Sequence, residues 1–452
     1  MKYHLLTLGC QMNTSDGERV RAVLEREGFS ETLTEDDADI LGILACSVRQ
    51  KPIDKVYNKI AEWNRAKNHR NLITFISGCV LPADREKFLK LFDFVFPMSE
   101  LNQLPEMIRG YGVATPASLK QQGNSPILPN NENIYSLWNI RPKYSSGFEA
   151  YVPIQNGCDK MCTFCAVPYT RGREVSRPSA EILDEVEQLV KQGYKAITLL
   201  GQNVNSYGLD KPNTEISFAE LLEKIGQLGD SSHEEFWVYF TSPHPSDMDP
   251  KVFEVIAQHR CLAKQIHLPL QSGDEKLLIH MNRRHDVETY RELVAKLRAS
   301  LPQATLFTDI IVGFCGETEE QFQNTVEAFK EFRFNMAYIA QYSPRPGAAS
   351  YRWDDDVPFN VKKERHLRLT EVLKRISLEH NLKLVGQTVK VLVTGTEQRT
   401  PYLTGYTEGR LVTRILATEG SLIGKIITVR ITTANELSLA GEPLLVTTAI
   451  TA

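Results

Sequence analysis

Long apolar runs are missing from this 452-residue chain. Charged residues interrupt every hydrophobic stretch before the roughly 18 residues that a membrane span requires, so no membrane partner is expected. Excess positive charge is missing too: 52 Lys and Arg stand against 56 Asp and Glu, a net charge of −4. A global basic field is thereby excluded, and any RNA must be held by local surface. The run before Gly9-Cys10 is too short for a secretory leader. Internal repeats and low-complexity tracts are absent, and 42% hydrophobic with 24% charged residues excludes wholesale disorder and coiled coil. Eight cysteines without a secretion signal point to a reducing, cytoplasmic setting, where cysteine is a ligand, a nucleophile or a small buried apolar residue.

What is present is an α/β chain of about three domains, at roughly 150 residues each. Strands at 3–8, 38–44 and 72–76 alternate with amphipathic helices near 17–27 and 54–66, which predicts a parallel sheet in a unit spanning 1–113. Residues 114–146, rich in Pro, Asn, Gln and Ser, read as a linker. From 147 to 384, candidate strands at 151–155, 196–200, 236–240, 265–268, 306–312 and 337–340 separated by helices suggest a partial (β/α)6 barrel with a trailing helix. That helix, 361–384, carries seven basic residues against three acidic ones, either a solvated face or an RNA contact. The last stretch, 385–452, has short runs at 389–394, 403–406, 411–415, 426–431 and 444–447, the pattern of a small antiparallel β-barrel.

Chemistry concentrates in Cys158-Asp-Lys-Met-Cys162-Thr-Phe-Cys165, directly after the first barrel strand. The expected chance count of this spacing at this composition is about 0.003. Structural zinc is the alternative, but closed zinc sites use four ligands and no fourth Cys or His follows nearby. Three thiolates on one loop suit an iron–sulfur cluster with one iron left open. Cys10, Cys46 and Cys79 also fall near predicted strand ends, on the edge where parallel sheets bind ligands. Any one of them alone reads as a buried apolar residue. Cys261 and Cys315 belong to neither triad and are expected to be inert.

The C-x3-C-x2-C motif resembles that of the radical S-adenosylmethionine (SAM) superfamily. Together with Cys10-Gln-Met-Asn, Cys46-Ser-Val-Arg, Gly78-Cys79, Cys165-Ala-Val-Pro-Tyr-Thr-Arg-Gly-Arg-Glu-Val-Ser-Arg-Pro, Gly201-Gln-Asn-Val-Asn, His267-Leu-Pro-Leu-Gln-Ser-Gly and Met281-Asn-Arg-Arg, the chain resembles the methylthiotransferases. Within them it is most similar to those that act on N6-isopentenyladenosine in tRNA. The resemblance implies two four-iron four-sulfur (4Fe-4S) clusters: one on Cys158, Cys162 and Cys165 that binds SAM and yields a 5′-deoxyadenosyl radical, and an auxiliary one on Cys10, Cys46 and Cys79 where sulfur is mobilised. For SAM it points to Gln202 and Asn203 at the methionyl end and to Gly313 and Glu317 near the adenine. Loop capping remains open for Asn203, and a first-turn helical acid for Glu317. Gly17, Leu44-Ala45 and Cys315 depart from the family pattern without removing a ligand.

The final barrel resembles the TRAM domain through Leu403-Thr-Gly-Tyr406-Thr-Glu-Gly-Arg410, although six basic residues meet five acidic ones there. Tyr402 and Tyr406 are candidate base stackers or core residues. The expected partners are the tRNA anticodon stem-loop, an electron donor protein and a sulfur source, with the chain a monomer. Sibling substrates are threonylcarbamoyl-adenosine in tRNA and an aspartate of a ribosomal protein. A metal-bearing RNA-binding scaffold is the non-enzymatic alternative, and it gives no reason for two open-iron triads.

Overall fold

A computed structural model describes residues 1–46, 50–111, 133–398, 400, 402–417 and 419–444. The first unit comprises β1 (Lys2–Thr7), α1 (Gln11–Arg26), β2 (Ser30–Glu31), β3 (Ile40–Cys46), α2 (Gln50–Ala66), β4 (Ile73–Cys79), α3 (Pro82–Phe88), β5 (Phe94–Val95), α4 (Leu104–Arg109) and α5 (Ile134–Trp138). Its strands form the expected parallel sheet, in the order β2-β1-β3-β4-β5. β3, Ile-Leu-Gly-Ile-Leu-Ala-Cys, is buried throughout because both of its faces are covered. Ile40 and Leu44 pack with Val20, Val23 and Leu24 of α1. Leu41 and Ile43 pack with Ile53, Val56, Ile60 and Trp63 of α2.

Residues 114–132 of the expected linker lie outside the described residues. Its second half packs on the first unit: Ile134, Leu137 and Trp138 of α5 join the α1 core, and Glu18 accepts hydrogen bonds from Ser145.

The central unit continues with β6 (Glu149–Pro153), β7 (Gln155–Asn156), α6 (Pro168–Arg171), β8 (Val175–Ser176), α7 (Ser179–Lys191), β9 (Ala196–Leu200), α8 (Phe218–Ser231), β10 (Trp237–Phe240), α9 (Lys251–Gln258), β11 (Gln265–His267), α10 (Glu275–His280), α11 (Val287–Ser300), β12 (Thr305–Val312), α12 (Glu319–Phe332), β13 (Met336–Gln341) and α13 (Phe359–Leu382). Two parallel three-stranded sheets result, β10-β9-β6 and β11-β12-β13, joined by a parallel bridge between Val238 and Leu262. Apolar residues recur every three or four positions on the helices, as with Ile182, Val186 and Leu189 of α7, and all face one core against the strands. Ser217 with Glu220 and Thr318 with Gln321 form capping boxes that start α8 and α12. Among the described residues, no helix is long and apolar enough to cross a membrane.

Strands β14 (Thr388–Thr396), β15 (Leu403–Thr407), β16 (Val412–Ile415), β17 (Ile426–Ala434) and β18 (Leu439–Pro443) close a barrel in the order β14-β15-β16-β18-β17. Two expectations need correction. The barrel is not wholly antiparallel, because β16 and β18 run parallel. Its last strand precedes the apolar run at 444–447, since Leu439 is the residue that enters the core beside Val429 and Ile431; residues 445–452 lie outside the described residues.

This barrel docks against the amino-terminal ends of the central strands. Leu392 packs with Ala196, Trp237, Tyr239 and Ala263. The Arg410 guanidinium lies between the rings of Tyr239 and Tyr406, 3.9 and 4.2 Å from their centroids, and Tyr406 donates its hydroxyl hydrogen to Glu149. Tyr406 is therefore committed to the interface. On α13, Lys362, Arg365, Arg368 and Lys374 each pair with a carboxylate, which leaves its basic face much less charge to offer RNA.

Candidate metal centre

Cys46 and Cys79 end the neighbouring strands β3 and β4 and stand in register, because parallel pairing aligns the carboxyl ends. Cys10 is the N-cap of α1, and a Cβ on Gly9 would come within 2.8 Å of Cys46 Cβ, so the Cys10 loop lies against β3. Asn13 fastens the set: its Nδ2 donates to Ala45 O at 2.7 Å and to Leu8 O at 3.0 Å. Its Oδ1 lies 3.5 Å from Cys79 Sγ. Burial pushes the Cys79 thiol up to about 12; Arg171 acts the other way, and Cys10 and Cys46 add to the rise. Three thiols thus stand within electrostatic reach of one another.

The second triad lies on the loop after β7. Gly157 has φ +86°, and a Cβ there would fall 1.9 Å from Arg173 O, so only glycine lets the chain enter this turn. Its N–H donates to Gln202 Oε1 at 2.5 Å. Cys162 Sγ accepts from Arg283 Nη1, and Cys165 Sγ from Val167 N–H, each at 3.5 Å. Asn282 Nδ2 holds the loop from outside through Met161 O at 2.9 Å. Burial pushes Cys165 up to about 12, with a further push from Cys162, and burial also raises Cys158.

Among the described residues, no three His, Cys, Asp or Glu side chains close around a point as the ligands of one ion do. A four-iron cluster asks for a different arrangement, since each thiolate binds a separate iron and the ligands stand farther apart. Both triads fit that demand: the thiols of each act on one another electrostatically, and Arg171 faces Cys79, the Lys160 N–H Cys158, Arg283 Cys162 and the Val167 N–H Cys165, donors that offset the negative charge of a thiolate-bound cluster.

Gln202 fixes the approach to Cys158. Asn203 is 1% exposed; its Nδ2 donates to Asp247 Oδ2 at 2.8 Å and Glu174 Oε1 at 3.2 Å, while its Oδ1 has no hydrogen-bond partner among the described residues. That orphan oxygen, beside the Lys160–Asp247 ion pair, fits an amino group of a ligand such as SAM. Glu317 accepts from Gly313 N–H at 2.6 Å and pairs with Arg365 at 2.8 Å. Its carboxylate ties the Gly313 turn to α13, and burial raises its pKa to about 7. His244 accepts from Ser246 N–H, and Cys261 and Cys315 are packed in the core. The sequence reading did not single out Arg171, Arg283, Asn13, Asp16 or Glu174. Arg171, Arg283, Asn13 and Glu174 lie inside motifs already quoted, but the reach of Arg171 to Cys79 is set by packing between units.

Comparison with known proteins follows the same three units. The Radical SAM superfamily matches residues 152–329, Uncharacterized protein family UPF0004 matches 2–97, and the TRAM domain matches 382–444. Proteins named tRNA-2-methylthio-N(6)-dimethylallyladenosine synthase are similar over nearly the whole length. The one from Bacillus velezensis is 36% identical, covering 97% of this chain and 85% of its own. Its counterpart from Bdellovibrio bacteriovorus is 37% identical, covering 97% and 94%. The chain belongs to the radical SAM methylthiotransferase family. Among solved structures, the radical SAM methyltransferase TsrM from Kitasatospora setae, with cobalamin and a 4Fe-4S cluster bound, shares the fold at a TM-score of 0.57. It is 15% identical and covers 77% of this methylthiotransferase and 73% of its own chain. The departures from the family pattern leave the cysteine positions intact: Gly17 lies in α1 beside Thr7, and Cys315 packs with Phe314 and Tyr342.

Proposed function

We infer that the protein installs a methylthio group on C2 of N6-isopentenyladenosine in tRNA, beside the anticodon. The observation that carries this reading is the pair of cysteine triads, one per unit, in a chain similar from end to end to synthases named for that product. Adenine C2–H is not acidic and has no leaving group, so acid–base catalysis has little to act on and radical chemistry is required. Cys158, Cys162 and Cys165 would hold the cluster that, with SAM, would supply the radical, and Cys10, Cys46 and Cys79 would hold the one that would supply the sulfur.

The chain's own residues do the rest. Gln202 and Asn282 fix the Cys158–Cys165 loop, and Asn203 with the Lys160–Asp247 pair offers polar groups for the SAM methionyl end. Gly313 and Glu317 serve the adenine side through the turn they hold. The six central strands are read as one partial (β/α)6 barrel within 147–384, flanked by 1–113, a 114–146 connection and the 385–452 TRAM barrel. An electron donor protein and a sulfur source complete the reaction, with the protein a cytoplasmic monomer. The sibling activities on threonylcarbamoyl-adenosine and ribosomal aspartate are less favoured, since the similar proteins are named for 2-methylthio-N(6)-dimethylallyladenosine, the same five-carbon substituent on the adenosine N6. Mass spectrometry of tRNA nucleosides from a deletion strain, with and without this chain, tests the reading. Restored methylthio-isopentenyladenosine is expected, and restoration of only the threonylcarbamoyl product would overturn it.

A further inference from the structure

Arg171 ends α6, six residues after Cys165, yet its side chain leaves the central unit and enters the first. Nε donates to Cys79 Sγ at 3.0 Å; Nη2 donates to Asp16 Oδ2 at 2.5 Å and Asn13 Oδ1 at 3.2 Å. The side chain is 6% exposed and that of Asp16 3%. An ion pair this buried costs desolvation that its own attraction scarcely repays. A pair serving only to hold two units together would need no donor on sulfur. Here the guanidinium forms a fixed fork, with Nε on sulfur and Nη2 on α1, where Asn13 in turn fastens the β1 and β3 ends. Lysine lacks that fixed fork.

We propose that Arg171 is a positioning residue for the sulfur site: reaching across from the SAM-cluster loop, it sets the charge felt by the auxiliary cluster on Cys10, Cys46 and Cys79 and couples the two cysteine loops. This rests on the two-cluster reading. One-electron reduction by dithionite adds one negative charge to a bound cluster, and the Nε–H bond and the guanidinium charge favour that reduced form. Asp16 opposes them.

The test uses the full chain with Cys158, Cys162 and Cys165 changed to Ala, reconstituted with iron and sulfide, so that only the auxiliary cluster reports. Reduced cluster is followed by electron paramagnetic resonance during a dithionite titration. Arg171→Gln should hold about four irons and contain about tenfold less reduced cluster relative to oxidised at a fixed potential, a shift of ~59 mV to the negative. Arg171→Lys, which keeps the charge, should shift less. Asp16→Asn should shift the opposite way. Iron retained with an unchanged potential in Arg171→Gln, or shifts of the same sign in Arg171→Gln and Asp16→Asn, overturns the proposal. If Arg171→Gln binds no iron, Arg171→Lys and Asp16→Asn decide by sign. A parent that binds no iron refutes the auxiliary cluster, and the proposal falls with it.

Discussion

Replacing Arg410 with Ala tests how the terminal barrel is held. Its guanidinium is sandwiched between Tyr239 and Tyr406, donates to Thr198 Oγ1 at 3.3 Å, and lies 3.6 Å from Glu149. The side chain is about three-quarters buried. Two cation–π contacts of about 1 kcal/mol each, with a small discounted term for the partly solvated ion pair, give a loss of about 2 kcal/mol. In the opening equilibrium that is roughly 30-fold. Amide hydrogen exchange reads it locally, which suits a chain of several units that does not melt as one. Amides of β15 and β16 should exchange roughly 30-fold faster through opening, while those of β3 and β4 stay unchanged as an internal reference. Unchanged exchange in β15 and β16 would refute the claim that Arg410 clamps the two units.

Gly157→Ala should abolish the SAM-binding cluster while sparing the other, read as loss of about half the iron, because the new Cβ meets Arg173 O at 1.9 Å. Truncation before Val385 should expose Trp237 and Tyr239, so the shortened chain should show faster exchange in β9 and β10 and lower solubility, as well as weaker tRNA binding by filter assay. Glu317 titrates near 7 in the folded chain against 4.5 unfolded, so the folded state binds the extra proton and its contribution falls as pH rises from about 4.5 to 7. Glu317→Gln should flatten that decline, measured by exchange at the start of α12 between pH 5 and pH 7.

Much of the fold is legible in the sequence because burial leaves a pattern. The unbroken apolar run of β3 announces a strand covered on both faces, and the end of such a run places Cys46 and Cys79 on one edge. The loop cysteines are legible through spacing alone. Contacts between units leave no such trace: nothing in the periodicity around Arg171 says that it crosses to Cys79, or that Arg410 plugs the amino-terminal end of the strands. The terminal barrel misled for a related reason. Residues 444–447 look more like a strand than Leu-Ala-Gly-Glu-Pro at 439–443, but closing the barrel requires one inward Leu439 and a backbone that passes close at Gly441.

Iron and sulfide analysis of the anaerobically reconstituted chain tests the two-triad account most directly. The full chain should hold about eight of each, and about four when either Cys10, Cys46 and Cys79 or Cys158, Cys162 and Cys165 are changed to Ala, with methylthiolated tRNA lost in both variants. Stoichiometric zinc with little iron, or methylthiolated tRNA made without Cys10, Cys46 and Cys79, would contradict it.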